Sequence, residues 1–419
     1  MPQHARLGLV LSLSLLLLSG LLTGCTHTTS AGSGATPDDA GRVQRSQQLV
    51  DDFVSAARRG DAGDAAELVS SQDPDFAGRA AVWAANLQRI AWSQLTWTVQ
   101  PTEAAPSSGR PTTLTGESWV QRVSIAWSLP GERRSATDDV WLTFVDEPNV
   151  DGASALRLAG NSGGPAAVTE PIWLQQPVRL LHDDGVLLLT DADDGSAWAR
   201  HASAARRAVA ERVGAARRQP DEVLVVEVPQ SRAAFERILG VREGSYAAVA
   251  AAAWPMGSDT STAPIHVVVN PEASNSLSTL GRQVLLTHEA VHVTTRSPGS
   301  SAPTWLVEGY ADQVAYDAYP AGMAPAKDAV RAAVREHGTP RDWPTEQDFD
   351  PDASDLGLAY DLAWTAAESI AADGENTLDD LYAAADRGAS LAEAADELGI
   401  SEQSLLQRWQ QDLEAMTAR

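Results

Sequence analysis

Hydrophobic positions in the first part of the chain change from helical spacing to strand spacing. Apolar residues fall three and four positions apart over three stretches, which predicts helices at 44–59, 62–69 and 76–90. Apolar and polar residues then alternate, which predicts strands at 95–99, 123–129, 140–144 and 156–158. Helices followed by an antiparallel sheet with one buried face predict an α+β domain over residues 41–162.

A second pattern follows a Gly- and Pro-rich break at 160–165 and continues through a predicted domain at 163–419. Short apolar runs predict strands at 186–190, 223–228, 246–250 and 265–269. Helical spacing predicts helices at 196–218 and 232–239, the second capped by Ser231. Beyond Leu280 the pattern is almost entirely helical. A mixed sheet followed by a helical lobe again predicts an α+β fold, with a cleft between the lobes as the natural site.

The order of elements in 41–162 resembles the nuclear-transport-factor-2-like superfamily, which implies a cone of helices and curved sheet. A generic α+β packing module is an equal alternative, and either would leave the function open. Seven of the thirteen Trp residues lie between Trp83 and Trp173, and we expect them in the core and rim of this sheet.

The N-terminus carries Arg6 and then an apolar run at 7–22, shorter than the roughly 20 residues that span a bilayer. This pattern is typical of a secretory signal at 1–24. Leu22-Thr23-Gly24-Cys25 resembles the lipobox of bacterial lipoproteins, which implies acylation of Cys25 and anchoring on the extracytoplasmic face of the cell membrane. A plain signal peptide with an incidental Cys25 is the alternative. Small and polar residues predict a flexible tether at 25–40.

Composition narrows the function classes. The 419 residues include 31 Lys+Arg and 56 Asp+Glu, giving a net charge of −25. This balance argues against nucleic acid as a partner and against a polybasic membrane patch, since both need positive charge. Cys25 is the only cysteine, so no internal disulfide can form. The sequence does not indicate an oligomeric state.

A metal-binding pattern lies in the apolar helical stretch at 281–295. His288 and His292 are four residues apart, so both imidazoles lie on one helix face and can bind one ion. Glu289 then lies beside the ion without binding it, where it can take a proton from an activated water.

A second helical stretch supplies an acid. Glu308 and Asp312 share one face of the predicted helix at 303–316, for which Ser301 is the expected cap and Pro303 lies in the first turn. A carboxylate from Glu308 would complete a His₂Glu site with an open fourth position. Asp312 can accept the outer N–H of a histidine ligand.

Together these residues resemble the gluzincin metallopeptidases, and most closely the bacterial peptidase MA-like group. The resemblance rests on His288-Glu289-x-x-His292 followed by Pro303-x-Trp305-Leu306-x-Glu308-Gly309-x-Ala311. It implies a zincin-like fold, Zn²⁺ held by His288, His292 and Glu308, and Glu289 as the catalytic base. Fifteen residues separate His292 from Glu308, fewer than in thermolysin-type or aminopeptidase-type gluzincins.

Three further residues or segments near this pattern have possible roles. Tyr360 is the candidate donor to the tetrahedral oxyanion, because related gluzincins place a Tyr or His after the third ligand; the alternative is a core tyrosine. The strand at 265–269 is the expected edge strand for an extended substrate. His266 on that strand could face the cleft, although a structural role is favoured.

Two acidic segments have less specific interpretations. The cluster at 191–194 could suggest calcium, but it lacks the turn Gly and bidentate Glu of an EF-hand loop, so a helix-capping loop is favoured. The polar loop at 348–355 is either a lid or a solvated connection.

Three functions remain open from the sequence. The first is a lipid-anchored zinc peptidase acting on a peptide or protein. The second is a cell-envelope binding lipoprotein that uses a zincin scaffold with little or no turnover; the intact Glu289 argues against it. The third is a structural lipoprotein with an accidental motif, which Glu308 and Asp312 disfavour.

Overall fold

The computed structural model describes residues 37–101, 114–148, 153–162, 169–213, 223–258, 262–351, 353–374 and 376–418. The predicted signal segment 1–24, Cys25 and most of the predicted tether lie outside the described residues. Residues 37–40, predicted as tether, belong to the first helix. Among the described helices, none combines the length and the apolar character that a membrane crossing needs.

Three helices and four strands form the first half. They are α1 (Pro37–Arg59), α2 (Ala62–Glu67), α3 (Pro74–Arg89), β1 (Gln94–Val99), β2 (Glu117–Ser128), β3 (Ala136–Pro148) and β4 (Ser154–Gly160). The Asp61 and Asp73 side chains cap α2 and α3. The strands pair antiparallel in the order β1-β2-β3-β4. The predicted helices-then-sheet order is confirmed.

The second half begins with a mixed sheet. Its elements are α4 (Ile172–Gln175), β5 (Arg179–Asp183), β6 (Val186–Thr190), α5 (Gly195–Arg212), β7 (Leu224–Val228), α6 (Arg232–Leu239), β8 (Ala251–Pro255) and β9 (Ile265–Val269). The sheet order is β5-β6-β7-β9-β8, with β6, β7 and β9 parallel. Two predictions were wrong: the strand expected at 246–250 begins at Ala251, and β9 is an interior strand, so the edge beside it is β8.

The C-terminal lobe is helical, as predicted. It contains α7 (Pro271–Ser274), α8 (Thr279–Thr295), α9 (Thr304–Ala318), α10 (Met323–His337), α11 (Leu356–Ala371), α12 (Thr377–Asp386), α13 (Leu391–Glu397) and α14 (Glu402–Thr417), with short 3₁₀ turns at Ser297–Gly299, Pro320–Gly322 and Glu346–Phe349. The expectation that Ser301 caps α9 was wrong. Pro303 holds the cap position, and the Glu346 carboxylate accepts from the first backbone N–H of the helix, at Thr304, over 3.3 Å.

The two halves share one hydrophobic core. Trp173 on α4 is fully buried among indoles of the first half, with its ring 5.0 Å from Trp92 and 6.1 Å from Trp127. Asn86 on α3 fixes this contact, since its side-chain amide donates to the Trp173 carbonyl over 2.7 Å. Burial is confirmed for five of the seven tryptophans expected around this sheet: Trp83, Trp97, Trp119, Trp127 and Trp173.

Candidate metal centre

Helices α8 and α9 bring the candidate ligands together. The Ser278 side chain caps α8 by accepting from the Gly281 N–H. Apolar residues around the two histidines bury this helix, so His288 and His292 lie inside the protein. Gly309 lets α11 approach α9 closely, because a Cβ there would lie 2.3 Å from the Ala363 carbonyl oxygen. The helices therefore form a tight layer around Glu308.

Three ligand atoms from these helices converge on one position. The Nε2 atoms of His288 and His292 lie 2.8 Å apart, and Glu308 Oε2 lies 3.1 and 3.3 Å from them. Donors around one tetrahedral ion at ~2.0–2.1 Å are separated by about 3.3 Å, so the set fits with small adjustments. The three side chains are fully buried. This group could bind a metal ion.

The outer nitrogens of both histidines are also engaged. His288 Nδ1 lies 2.7 Å from Asp312 Oδ1, and His292 Nδ1 lies 2.6 Å from Ser297 Oγ. In a neutral ring, an Nδ1–H donated outward leaves the Nε2 lone pair directed at the shared position, so a metal that binds His288 would displace the second proton of this ring. The pairing of Asp312 was predicted, whereas Ser297 was missed.

Ser297 reaches His292 because the backbone turns sharply after α8. Arg296 adopts a left-handed conformation with φ of 55°, which is uncommon for a residue with a side chain. The Arg296 guanidinium donates to the Ala263 carbonyl over 3.0 Å and so anchors the turn. The only sequence signal was a serine five residues after the second histidine, which is too common to be recognised.

Glu289 has the environment of a proton acceptor poised near neutral pH. Its carboxylate is fully buried, and neither oxygen has a hydrogen-bond partner among the described residues. Burial raises the pKa of Glu289 to about 8, although nearby His288 acts in the opposite direction. The backbone of Ala253 on β8 also acts to lower this pKa.

The three candidate ligands differ in their electrostatics. Burial alone would raise the pKa of Glu308, but His292 and His288 outweigh it and hold the value at about 2. Burial lowers the pKa of His292. For His288 the same burial is outweighed by the Asp312 carboxylate, which raises its pKa well above the usual range. Glu308 is therefore a carboxylate, the form that binds a cation.

Tyr360 lies beside the centre, as predicted. It is 1% exposed, its hydroxyl has no partner among the described residues, and its ring centroid lies 6.2 Å from that of His288. Burial raises the pKa of Tyr360 well above its usual range, so the hydroxyl keeps its proton. Phe349 packs edge-on against the same ring at 5.4 Å.

The other residues singled out in the sequence lie outside the centre. His266 is structural, as favoured: its Nδ1 and Nε2 lie 2.7 Å from Glu227 and from Glu132 of the first half. Asp194 holds the N-cap position of α5, although its side chain makes no capping bond. The loop near 348 is tied down by a capping box between Thr345 and Asp348.

Comparison of the chain with protein-family models, curated proteins and solved structures finds no match. The resemblances to gluzincins and to the nuclear-transport-factor-2-like superfamily therefore stay predictions. The geometry of the metal centre carries the functional argument.

Proposed function

We propose that this protein is a zinc-dependent peptidase. The observation that carries the proposal is the convergence of His288, His292 and Glu308 beside the unpartnered carboxylate of Glu289. Two imidazoles and one carboxylate are the donor set of catalytic zinc sites, which keep a position open for water. Structural zinc sites use four protein ligands, and the described residues here offer three.

Zn²⁺ held by this set would supply Lewis acidity and lower the pKa of a water at the site. Glu289 would take a proton from a water as its oxygen bonds to the scissile carbonyl carbon, and would give that proton to the amine nitrogen as the C–N bond breaks. The Tyr360 hydroxyl, which is protonated and lacks a partner, donates to the oxyanion that forms from the scissile carbonyl.

The position of β8 supports a peptide substrate. β8 is the outer strand of the mixed sheet, packs against α8, and passes Glu289 at Ala253. An extended peptide can pair with such an edge and present its carbonyl to the centre. Because β8 and the site residues are buried, substrate reaches them only after the groups that cover the centre move apart.

Burial of the whole centre also favours a second candidate, a binding lipoprotein in which the metal stabilises a scaffold. Glu289 weighs against it, since an unpartnered buried carboxylate costs stability and a pure scaffold has no use for it.

Three versions of the protein distinguish these candidates: wild type, Glu308→Ala and Glu289→Gln. We expect about one Zn²⁺ per wild-type chain by elemental analysis, a strong loss in Glu308→Ala, and wild-type zinc content in Glu289→Gln. We expect hydrolysis of a peptide library by wild type alone. Absence of zinc from the wild type would refute both candidates, whereas zinc with equal, near-zero hydrolysis in wild type and Glu289→Gln would favour the scaffold.

We also propose that acylated Cys25 anchors the protein on the extracytoplasmic face of the cell membrane. The lipobox pattern ending at Cys25 supports this. Cys25→Ser should release the protein from the membrane fraction and remove the mass of the lipid.

A further inference from the structure

A groove runs between α1 and the outer edge of β1, in the half of the protein without the metal centre. Val54, Ser55, Arg58 and Arg59 line it from α1, and 95–97 line it from β1. Its cavity volume is about 440 Å³. We call it the α1–β1 groove. It is large enough for a few residues of an extended peptide.

The edge of β1 in this groove has free backbone groups. The Gln100 N–H donates to the Arg122 carbonyl over 2.8 Å, which places the even-numbered residues in hydrogen-bonded pairs with β2. The backbone groups of the odd-numbered residues, including Leu95 and Trp97, therefore face outward. The side chain of Gln47 occupies one part of this edge by bonding to the Trp97 carbonyl and the Val99 N–H.

The remainder of the edge is open. Among the described residues, no side chain bonds to the N–H or carbonyl of Leu95 or to the N–H of Trp97. A row of alternating donors and acceptors is a template for another strand. Gln47 already pairs with this edge through one donor and one acceptor, as a strand would.

Two arginines add positive charge. Neither Arg58 nor Arg59 forms an ion pair with a described carboxylate, although Arg59 interacts electrostatically with the exposed Asp64. Arg59 also donates to Ser55 Oγ over 2.6 Å. Asp51 is the only acid among the described residues that line the groove, and it accepts a bond from Gln47. In a chain of net charge −25, this is a local site for an anion.

We propose that the α1–β1 groove binds an acidic peptide segment in extended conformation, which adds as a strand beside β1 and pairs its carboxylates with Arg58 and Arg59. A peptide can pair with the backbone N–H and carbonyl of Leu95 and can also place carboxylates beside the two arginines. Inorganic phosphate would satisfy the arginines alone. Val54 and Leu95 supply an apolar wall for the alternate side chains of the added strand.

The groove goes beyond the proposed hydrolysis and does not depend on it. Its test uses the full-length Glu289→Gln chain as purified, without a chelator, so that the probe is not cleaved and the metal is not removed. The probe is a fluorescein-labelled octapeptide of alternating Val and Glu, followed by fluorescence polarisation. We expect saturable binding of this peptide and none of the matched Val/Lys peptide. The double variant Arg58→Gln/Arg59→Gln should weaken binding by about tenfold or more.

Arg89→Gln is the matched control, since Arg89 is an exposed arginine in the last turn of α3 and lies outside the groove. It should bind as wild type does. Equal binding of the acidic and basic peptides, or wild-type affinity in the double variant, would overturn the proposal.

A second experiment tests strand addition itself. Two further probes carry N-methyl groups on alternate backbone nitrogens, one on the odd-numbered and one on the even-numbered residues of the peptide. Each set of methyl groups blocks hydrogen bonding along one side of the peptide. The probe that is blocked on the side facing β1 should therefore bind about tenfold more weakly. We also expect the peptide to shift the backbone N–H resonances of Leu95 and Trp97. Unchanged affinity of both methylated probes, with full displacement by inorganic phosphate, would show a small-anion site and refute strand addition.

Discussion

The Asp312 carboxylate lies 2.7 Å from Nδ1 of His288, on the side of the ring opposite the shared metal position. Both groups are buried, so the pair fixes the orientation of the ring with little competition from water. Ser297 holds His292 through a hydroxyl instead. One histidine therefore has a charged outer partner and the other a neutral one.

This asymmetry predicts unequal effects on zinc affinity. Asp312→Asn should weaken Zn²⁺ binding by about 10–100-fold, and Ser297→Ala by a smaller factor, because a carboxylate increases ligand basicity more than a hydroxyl. Competition with a chromophoric chelator measures both. Asp328→Asn on the exposed face of α10 is the control for the lost charge. Wild-type affinity in Asp312→Asn would show that the pair does not support the metal.

Tyr360→Phe should lower kcat by on the order of 10²-fold, because the oxyanion loses one donor. KM and zinc content should stay close to wild type, since the ring still packs on Phe349. Steady-state kinetics on a cleaved peptide measure the effect. Tyr382→Phe is the control, because that buried ring stacks on Tyr310 instead. An unchanged kcat would make Tyr360 a core residue, the alternative interpretation of the sequence.

Gly309→Ala should destabilise the fold by roughly 1–3 kcal/mol and weaken zinc binding. The added Cβ would lie 2.3 Å from the Ala363 carbonyl and would push α11 away from the helix that carries Glu308. Urea denaturation measures the free energy of unfolding. Gly78→Ala is the control: Gly78 is exposed within α3 and has open space around it, so alanine should stabilise by about 0.5–1 kcal/mol. Equal effects of the two substitutions would contradict the close approach.

His266 predicts a pH dependence of stability. Burial lowers its pKa, but Glu132 and then Glu227 outweigh burial and raise it to about 9. A raised pKa stabilises the fold fully below about 6.5 and loses this contribution as the pH rises through about 9. The free energy of unfolding of the zinc-loaded protein should therefore fall between pH 7 and pH 10, by on the order of 3 kcal/mol.

His266→Gln isolates this contribution. The variant should be less stable at pH 7 and should show a flatter pH profile, because its side chain does not titrate. Asp138, whose pKa burial raises to about 6, titrates below this window. Burial raises the pKa of Glu289 and of Asp361 to about 8, inside the window, but both groups are present in the variant and in the wild type, so the difference between the two profiles reports His266. An unchanged slope in His266→Gln would assign the pH dependence to other groups.

Strong periodicity made much of the fold predictable. β6, α6 and β9 begin and end where the sequence places them, and Ser231 caps α6 as expected. The error at 246–250 has a physical reason. Ala247 and Ala248 are exposed in the turn before β8, whereas Ala251–Pro255 is buried on both faces. Because alanines fill both segments, no alternation marks where the strand starts.

The metal centre was predictable where its residues lie one helical turn apart, either on α8 or on α9. His288 and His292 need only helical spacing to converge, and Asp312 lies one turn from Glu308. Ser297 depends on the left-handed turn at Arg296, and the identity of the edge strand depends on the order of pairing. Neither is encoded in local periodicity, so neither could be predicted from the sequence alone.

Trp173 belongs to the half with the metal centre but completes the core of the other half. The first half alone, ending before α4, would have a cavity the size of an indole. The second half alone would expose the Trp173 indole to water. Heating should therefore melt the protein in a single calorimetric transition, and the acidic-peptide groove and the zinc site should be gained and lost together.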